Sequence, residues 1–309
     1  MENNLVLETN SLTKVYTYHT AVDHVNMHIK KGDIYGFVGE NGAGKTTIIR
    51  LISGLATPTE GDYNLFGVNS RSKEILTIRA KVSGIVESVS LSPSMTAFNN
   101  IKCQAILANK KISDEEIKSL ILKVGLNPEQ IENKKVGSFS LGMRQRLGIA
   151  IALISDPEFI ILDEPMNGLD PKGFIEVRDT ILELNKQGIT FLISSHILSE
   201  LEKVCTRIGF LSHGKLIKEL SIKELREQSK PRIEIEALNI SNVVDVVKEK
   251  LGLTRIEVNE NVLNIFDAVD LNDVLKCLVK NDVPILNISK KEDTIETYYM
   301  KLMGGKKND

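Results

Sequence analysis

The 309-residue chain has no tryptophan, three cysteines and almost no net charge, −2 at neutral pH from 39 Lys plus Arg against 41 Asp plus Glu. Each shortage excludes something. Cys103, Cys205 and Cys277 lie far apart with no paired spacing, which excludes a disulfide framework and a cysteine-based zinc site. They read as buried thiols of a reducing compartment. The near-neutral balance removes any global electrostatic case for nucleic acid, and no nucleic-acid partner is expected. The longest strongly apolar stretches, residues 147–154 and 159–162, fall well short of the ~18 residues that span a bilayer. The opening Met1-Glu2-Asn3-Asn4 lacks the basic and apolar regions of a signal peptide. No period of about 20–50 residues repeats, which argues against a solenoid. These absences predict a cytoplasmic chain that reaches a membrane only through a partner.

What remains is an ordinary globular mixture, 42% hydrophobic and 26% charged. At about 150 residues per domain the length suggests two domains. Residues 5–38 read as strands with turns between them, ending in the apolar run 34–38 and Gly39. Residues 46–53 then show helical spacing through Ile48, Ile49 and Ile52. A helix is predicted over 114–124, with Ser113 as N-cap, Glu116 at the capping-box position and Gly125 as its stop. Further helices are expected over 140–154, 173–185 and 197–205, and strands over 159–162, 189–193 and 207–212. Alternating strands and helices with apolar strands argue for a wound α/β domain.

The texture changes near Ser229-Lys230-Pro231. Beyond it the expected elements are strand 232–237, helix 242–251, strands 255–259 and 262–266, helix 271–280, strand 285–289 and helix 294–303. The first six match a split βαβ, ferredoxin-like unit. The predicted organisation is therefore a cassette over 1–228 and a small α+β domain over 229–309, with a frayed tail from residue 304.

The segment Gly39-Glu40-Asn41-Gly42-Ala43-Gly44-Lys45-Thr46 fits G-x-x-x-x-G-K-[ST], after an apolar run and before a helical one. Glycines let the backbone curl so that N–H groups point inward, and the helix presents its positive end to the same spot. Lys45 can reach the β- and γ-phosphates of a nucleotide, and Thr46 can ligate Mg²⁺. Downstream, the apolar strand 159–162 runs into Asp163-Glu164. Such a strand carries a carboxylate to the sheet's carboxyl edge, where ligands bind. Asp163 suits Mg²⁺, and Glu164 can address a water attacking the γ-phosphate.

Phe139-Ser140-Leu141-Gly142-Met143-Arg144-Gln145-Arg146 resembles the signature motif of ATP-binding cassette (ABC) proteins. Asn167-Gly168-Leu169-Asp170 is similar to their D-loop, and Ser195-His196 to their switch histidine. Tyr16 stands where the family keeps an adenine-stacking aromatic; Tyr18 is a near alternative. The resemblance covers about residues 5–220. It implies an α/β P-loop cassette with a RecA-like core, an N-terminal antiparallel β subdomain and a helical subdomain. It implies ATP hydrolysis with Glu164 and His196 as catalytic residues. ATP contacts fall to Tyr16, Gly39, Glu40, Asn41, Gly42, Ala43, Gly44, Lys45, Thr46, Thr47, Glu87 and Asp163, and Mg²⁺ to Thr46, Glu87 and Asp163. Ser140, Gly142 and Met143, with Asp170 nearby, would meet the ATP held by a second ATPase subunit, either identical or related. His19, His24, His28 and His213 read as surface or turn residues.

Three positions depart from the common family pattern: Glu87 in place of a glutamine, Leu141 in place of a glycine and Met143 in place of a glutamine. A carboxylate at 87 can ligate Mg²⁺ but adds a charge. A glutamate there with a Ser-Leu-Gly-Met signature is similar to the ATPase subunits of lantibiotic-immunity and bacitracin-type peptide exporters. That resemblance implies a separate membrane permease as partner and an antimicrobial peptide as cargo. A peptide-sensing ABC complex and a soluble non-transport ABC ATPase are the other readings. The C-terminal unit carries no catalytic constellation; Asp245, Glu249 and Asp270 read as solvated helix charges.

Overall fold

A computed structural model describes residues 4–87, 90–228, 231–291 and 295–304. The frayed tail expected from 304, Thr294 at the start of the last helix, and Ser229-Lys230 at the expected domain break lie wholly or partly outside the described residues. The chain divides into two compact units, Met1–Ile222 and Lys223–Asp309.

The first unit is organised around a six-stranded sheet in the order Lys215–Ser221, Arg207–Ser212, Ile34–Val38, Thr190–Ser195, Phe159–Asp163, Val82–Ile85. Its three central strands are buried along their whole length, as parallel strands covered on both faces must be. Register aligns their ends. Val38 pairs with Ser195 and Asp163 with Ser194, while Ile85 pairs with Leu162. The segments that follow residues 38, 85, 163 and 195 therefore all leave from one sheet edge, the usual ligand edge of an open α/β sheet.

A second sheet is largely antiparallel. Leu5–Tyr16 pairs with His19–Val25, His28–Lys30 and Glu60–Leu65. Leu7, Leu12, Val22 and Ile29 from its strands, and Met27 between two of them, pack with Ile48, Ile49 and Ile52 of the helix Lys45–Ile52 in one core. That core fixes the helix beneath the phosphate loop.

Several expected helices start and stop as their caps dictate. Ser113 and Glu116 make both bonds of the capping box for Asp114–Lys123, and Gly125 turns out of the helix at φ 70°. The helix expected over 140–154 instead runs Leu141–Ala152, then tightens into a 3₁₀ turn at Leu153–Ser155. The helix Ala97–Leu107 escapes a periodicity reading because its inner face includes Asn100. That side chain is 3% exposed and is satisfied by the backbone of Ser92 and Thr96. The strand Lys215–Ser221, also unread, is an edge strand reached through the tight turn His213-Gly214, both residues at positive φ. The cysteine expectation needs correction: Cys205 is buried, but Cys103 is exposed and Cys277 half-buried. Burial pushes the Cys205 thiol far above its usual range.

The second unit has a four-stranded antiparallel sheet in the order Ile256–Asn259, Val262–Ile265, Arg232–Glu236, Asn287–Lys291. The helices Ile240–Leu251 and Leu271–Lys280 complete the βαββαβ pattern, followed by the helix Ile295–Gly304. Ile233, Ile235, Val243, Val247, Leu263, Val274 and Leu278 form its core. Asp270 does more than face solvent, since its side chain caps Leu271–Lys280 by accepting from Asn272 N–H. No described helix is long and apolar enough to cross a membrane.

Candidate functional site

The loop after Ile34–Val38 has the shape its glycines permit. Gly44 sits at φ 104°, and a Cβ there would lie 2.4 Å from the Ala21 carbonyl oxygen. The helix Lys45–Ile52 follows with no side-chain cap and no acid in its first turn. Its first N–H groups thus face the loop without a protein anion or hydroxyl to occupy them. Lys45 is 6% exposed and folds back over the loop, donating to the carbonyls of Gly39 at 2.5 Å and Glu40 at 3.3 Å. A primary ammonium held by two carbonyls is poised to exchange one of them for a phosphate oxygen.

The acidic half comes from the neighbouring strand ends. Thr46 Oγ1 donates to Asp163 Oδ2 at 3.0 Å, and Ser194 Oγ donates to Asp163 Oδ1 at 2.5 Å. Glu164 takes a left-handed turn, φ 50°, and its N–H donates to Ser194 Oγ at 2.9 Å. Its carboxylate lies 3.6 Å from Lys45 Nζ and 2.8 Å from His196 Nδ1. One turn beyond, burial and the nearby Glu164 charge push the Glu200 carboxyl up, against the pull of His196. Thr46 Oγ1 and Asp163 Oδ2 are hard oxygen donors side by side. That is the donor set Mg²⁺ takes when phosphate and water fill its other positions, so these residues fit the ion.

Of these groups, Lys45, Thr46, Glu164 and His196 edge an open cavity of about 550 Å³, while Asp163 and Ser194 are not among its lining residues. Tyr16, Glu40, Asn41, Gly42, Gly44, Lys45, Thr46, Thr47, Glu164 and His196 line it. Gly39 and Ala43 sit beneath the lining, Gly39 close against the Leu211 carbonyl. Tyr16 is 43% exposed with the Lys14 ammonium 5.0 Å from its ring centre, whereas Tyr18 points fully into solvent. A larger hollow of about 990 Å³ is lined by parts of Ala97–Leu107 and Asp114–Lys123 and holds none of these groups.

Ser140, Gly142, Met143 and Asp170 are not brought into this cavity. Ser140 caps Leu141–Ala152 by accepting from Met143 N–H at 3.2 Å. Asp170 caps Pro171–Lys186 by accepting from Gly173 N–H at 2.9 Å. Ser140 and Asp170 are exposed, and a Cβ at Gly142 would approach Gly173 Cα to 3.1 Å. Behind them the buried Arg146 holds Glu176 at 2.8 Å and the Gly125 carbonyl at 2.7 Å, with burial pulling its guanidinium below the usual range. Glu87 also stays apart. Rather than joining Thr46 and Asp163, it is ion-paired with Arg50 of the phosphate-loop helix, and both side chains are about half exposed. The expectation that Glu87 shares the cation site is not met by this geometry, because the nearest cation takes its charge.

Sequence reasoning missed Ser194 and His19 as members of the site and read Asn167 only as part of the D-loop-like segment. Asn167 and His19 line the cavity. Only the hairpin signal for His19 was available: it pairs directly with Tyr16 across a two-residue turn.

Comparisons with known proteins identify the family. The family model described as ABC transporter matches residues 22–167. The chain is 40% identical over 307 residues to the bacitracin transport ATP-binding protein BcrA of Bacillus licheniformis, covering 97% of this chain and 98% of that protein. It is 41% identical over 214 residues to the lantibiotic transport ATP-binding protein SrtF of Streptococcus pyogenes, covering 69% of this chain and 90% of that one. Among solved structures, a dimeric post-hydrolysis ATP-binding cassette bound to ADP and Pi matches with TM-score 0.62 and 27% identity, covering 70% of this chain and 98% of that one. The ADP conformation of another cassette matches with TM-score 0.65 at 24% identity over 72% of this chain and 94% of that one, a likeness of fold alone. The chain belongs to the ATP-binding subunits of ABC transporters, and it is an ATPase.

Proposed function

We propose that this subunit powers export of an antimicrobial peptide of the bacitracin class through a separate membrane permease, on the inner face of the cell membrane. One observation carries the choice of cargo. The bacitracin transport relative matches 97% of this chain, which includes the C-terminal unit, whereas the lantibiotic transport relative matches 69%.

The residue roles follow from the site. Tyr16 stacks on the adenine, while Lys45 and the uncapped first turn of Lys45–Ile52 hold the β- and γ-phosphates. Thr46 and Asp163 hold Mg²⁺, which when bound neutralises phosphate charge. Glu164 accepts a proton from the attacking water or orients it, and His196, beside it, addresses the γ-phosphate. Ser140, exposed at the start of its helix, with the buried Gly142 and half-buried Met143 behind it, meets the nucleotide of a second ATPase subunit, and the exposed Asp170 belongs to the same junction. Two subunits, identical or related, then close around two nucleotides and reopen on hydrolysis. Glu87, exposed beside Arg50, stands where that motion passes to the permease.

The test is peptide susceptibility in cells that make this subunit together with a candidate permease. Wild-type protein is expected to protect against bacitracin, and Glu164→Gln is expected to abolish that protection. Protection by neither, with peptide-induced gene expression intact, would favour a sensing complex. Absence of any permease in the purified assembly would refute transport.

A further inference from the structure

Ser194 lies on the strand Thr190–Ser195, 0% exposed and in direct register with Asp163 on the next strand. Its hydroxyl has one proton and two lone pairs, and the structure uses both capacities on the acidic pair. The proton goes to Asp163 Oδ1, at 2.5 Å. A lone pair takes the N–H of Glu164, at 2.9 Å. The first bond sets the plane of the Asp163 carboxylate, so that Oδ2 faces Thr46 Oγ1 at 3.0 Å. The second ties down a backbone turn that is costly for a residue with a side chain, Glu164 at φ 50°. That turn is what brings the Glu164 carboxylate back to Lys45 and His196.

We infer that Ser194 is a positioning residue for ATP hydrolysis: one buried hydroxyl orients the Mg²⁺-facing carboxylate of Asp163 and locks the turn that presents Glu164. The inference rests on the roles proposed above for Asp163 and Glu164. A serine serving only the fold would bond a carbonyl of its own or a neighbouring strand. Here both partners are the two acidic residues, the Asp163 carboxylate and the Glu164 N–H.

The experiment uses the full-length protein and three variants, Ser194→Ala, Ser194→Thr and Glu164→Gln. ATP affinity is measured by calorimetry in EDTA and again with Mg²⁺, and turnover is titrated against Mg²⁺. In EDTA, Ser194→Ala is expected to bind ATP within about twofold of wild type. With Mg²⁺ its gain in affinity is expected to shrink roughly tenfold, and kcat to fall roughly ten- to a hundredfold, the usual range for lost outer-shell partners. Ser194→Thr keeps the hydroxyl and is expected to recover most of both losses. A Ser194→Ala protein with a wild-type Mg²⁺ response and kcat overturns the inference. So does Ser194→Thr as impaired as Ser194→Ala, since packing rather than the hydroxyl would then be the cause. If Ser194→Ala fails to fold by circular dichroism, Ser194→Cys replaces it, near in volume and a weak donor, with losses expected in the same direction and an unaltered response overturning the inference. Glu164→Gln separates the two readings. If it is inactive while Ser194→Ala is normal, only the Ser194 inference falls. If Glu164→Gln turns over near the wild-type rate, the role of Glu164 itself falls.

Discussion

In the unit Met1–Ile222, Lys45, Asp163, Ser194 and Ser195 are all buried at one sheet edge, and Glu164 beside them is held at positive φ. In the unit Lys223–Asp309, Asn264 is the one buried side chain of comparable polarity among the described residues, and Arg232 satisfies it at 2.8 Å. Left-handed residues there, Glu260 and Asp282, serve a hairpin turn and a helix exit. The same local devices thus have different uses. In the first unit the buried Lys45 and Asp163 and the strained Glu164 meet at one site, as functional sites require, although other left-handed residues such as Phe66, Asn109 and Asp156 lie elsewhere. In the second unit strain and buried polarity are dispersed and the interior is aliphatic, which argues for packing without chemistry.

Substitutions can break that contrast. The largest effect is expected from Glu164→Gln, with steady-state ATP turnover lowered about 10²- to 10⁴-fold, the scale of general-base loss, and ATP affinity retained. Near-normal hydrolysis would remove the chemical half of the contrast. Next comes Ile235→Ala, at 0% exposure in the second core. It is expected to cost about 2–5 kcal/mol of stability, read by chemical denaturation, with the ATP affinity of the native protein unchanged. A parallel loss of ATP binding would show that the second interior also serves the site. Gly44→Ala places a Cβ 2.4 Å from the Ala21 carbonyl at an unfavourable φ. About 1–3 kcal/mol of strain is expected, read as weaker ATP binding, and undiminished affinity would mean the loop is more pliable than its contacts suggest. The smallest stability effect is expected from Glu87→Gln. An exposed pair with Arg50 contributes less than about 1 kcal/mol, so the melting temperature should barely move. Peptide protection in cells should fall nonetheless. If ATPase rate and protection are both unchanged, Glu87 has no coupling role.

Much of the site was legible because its signals are local. A glycine pattern between a strand and a helix, an apolar strand ending in Asp163-Glu164, and a serine opening a helix are read from neighbours in the chain. Their physics also needs only those neighbours. Ser194 was illegible for the opposite reason: nothing within its own strand distinguishes it from a core serine until parallel pairing sets it against Asp163. Glu87 shows the same limit. Its residue type suggested a cation ligand, but its partner, Arg50, comes from another element of the sheet's ligand edge. Ala97–Leu107 was lost because Asn100 faces inward, its burial balanced by bonds to a preceding loop.

By itself, the sequence determined the phosphate loop, the acids at the strand end, the helix caps and the βαββαβ order of the second unit. Each depends on short-range sterics, capping or periodicity. Tertiary structure alone decided which hydroxyl holds Asp163, which cation takes Glu87, and that Tyr16 rather than Tyr18 lines the cavity. Those outcomes rest on strand register and on distances between elements far apart in the chain, which no local pattern encodes.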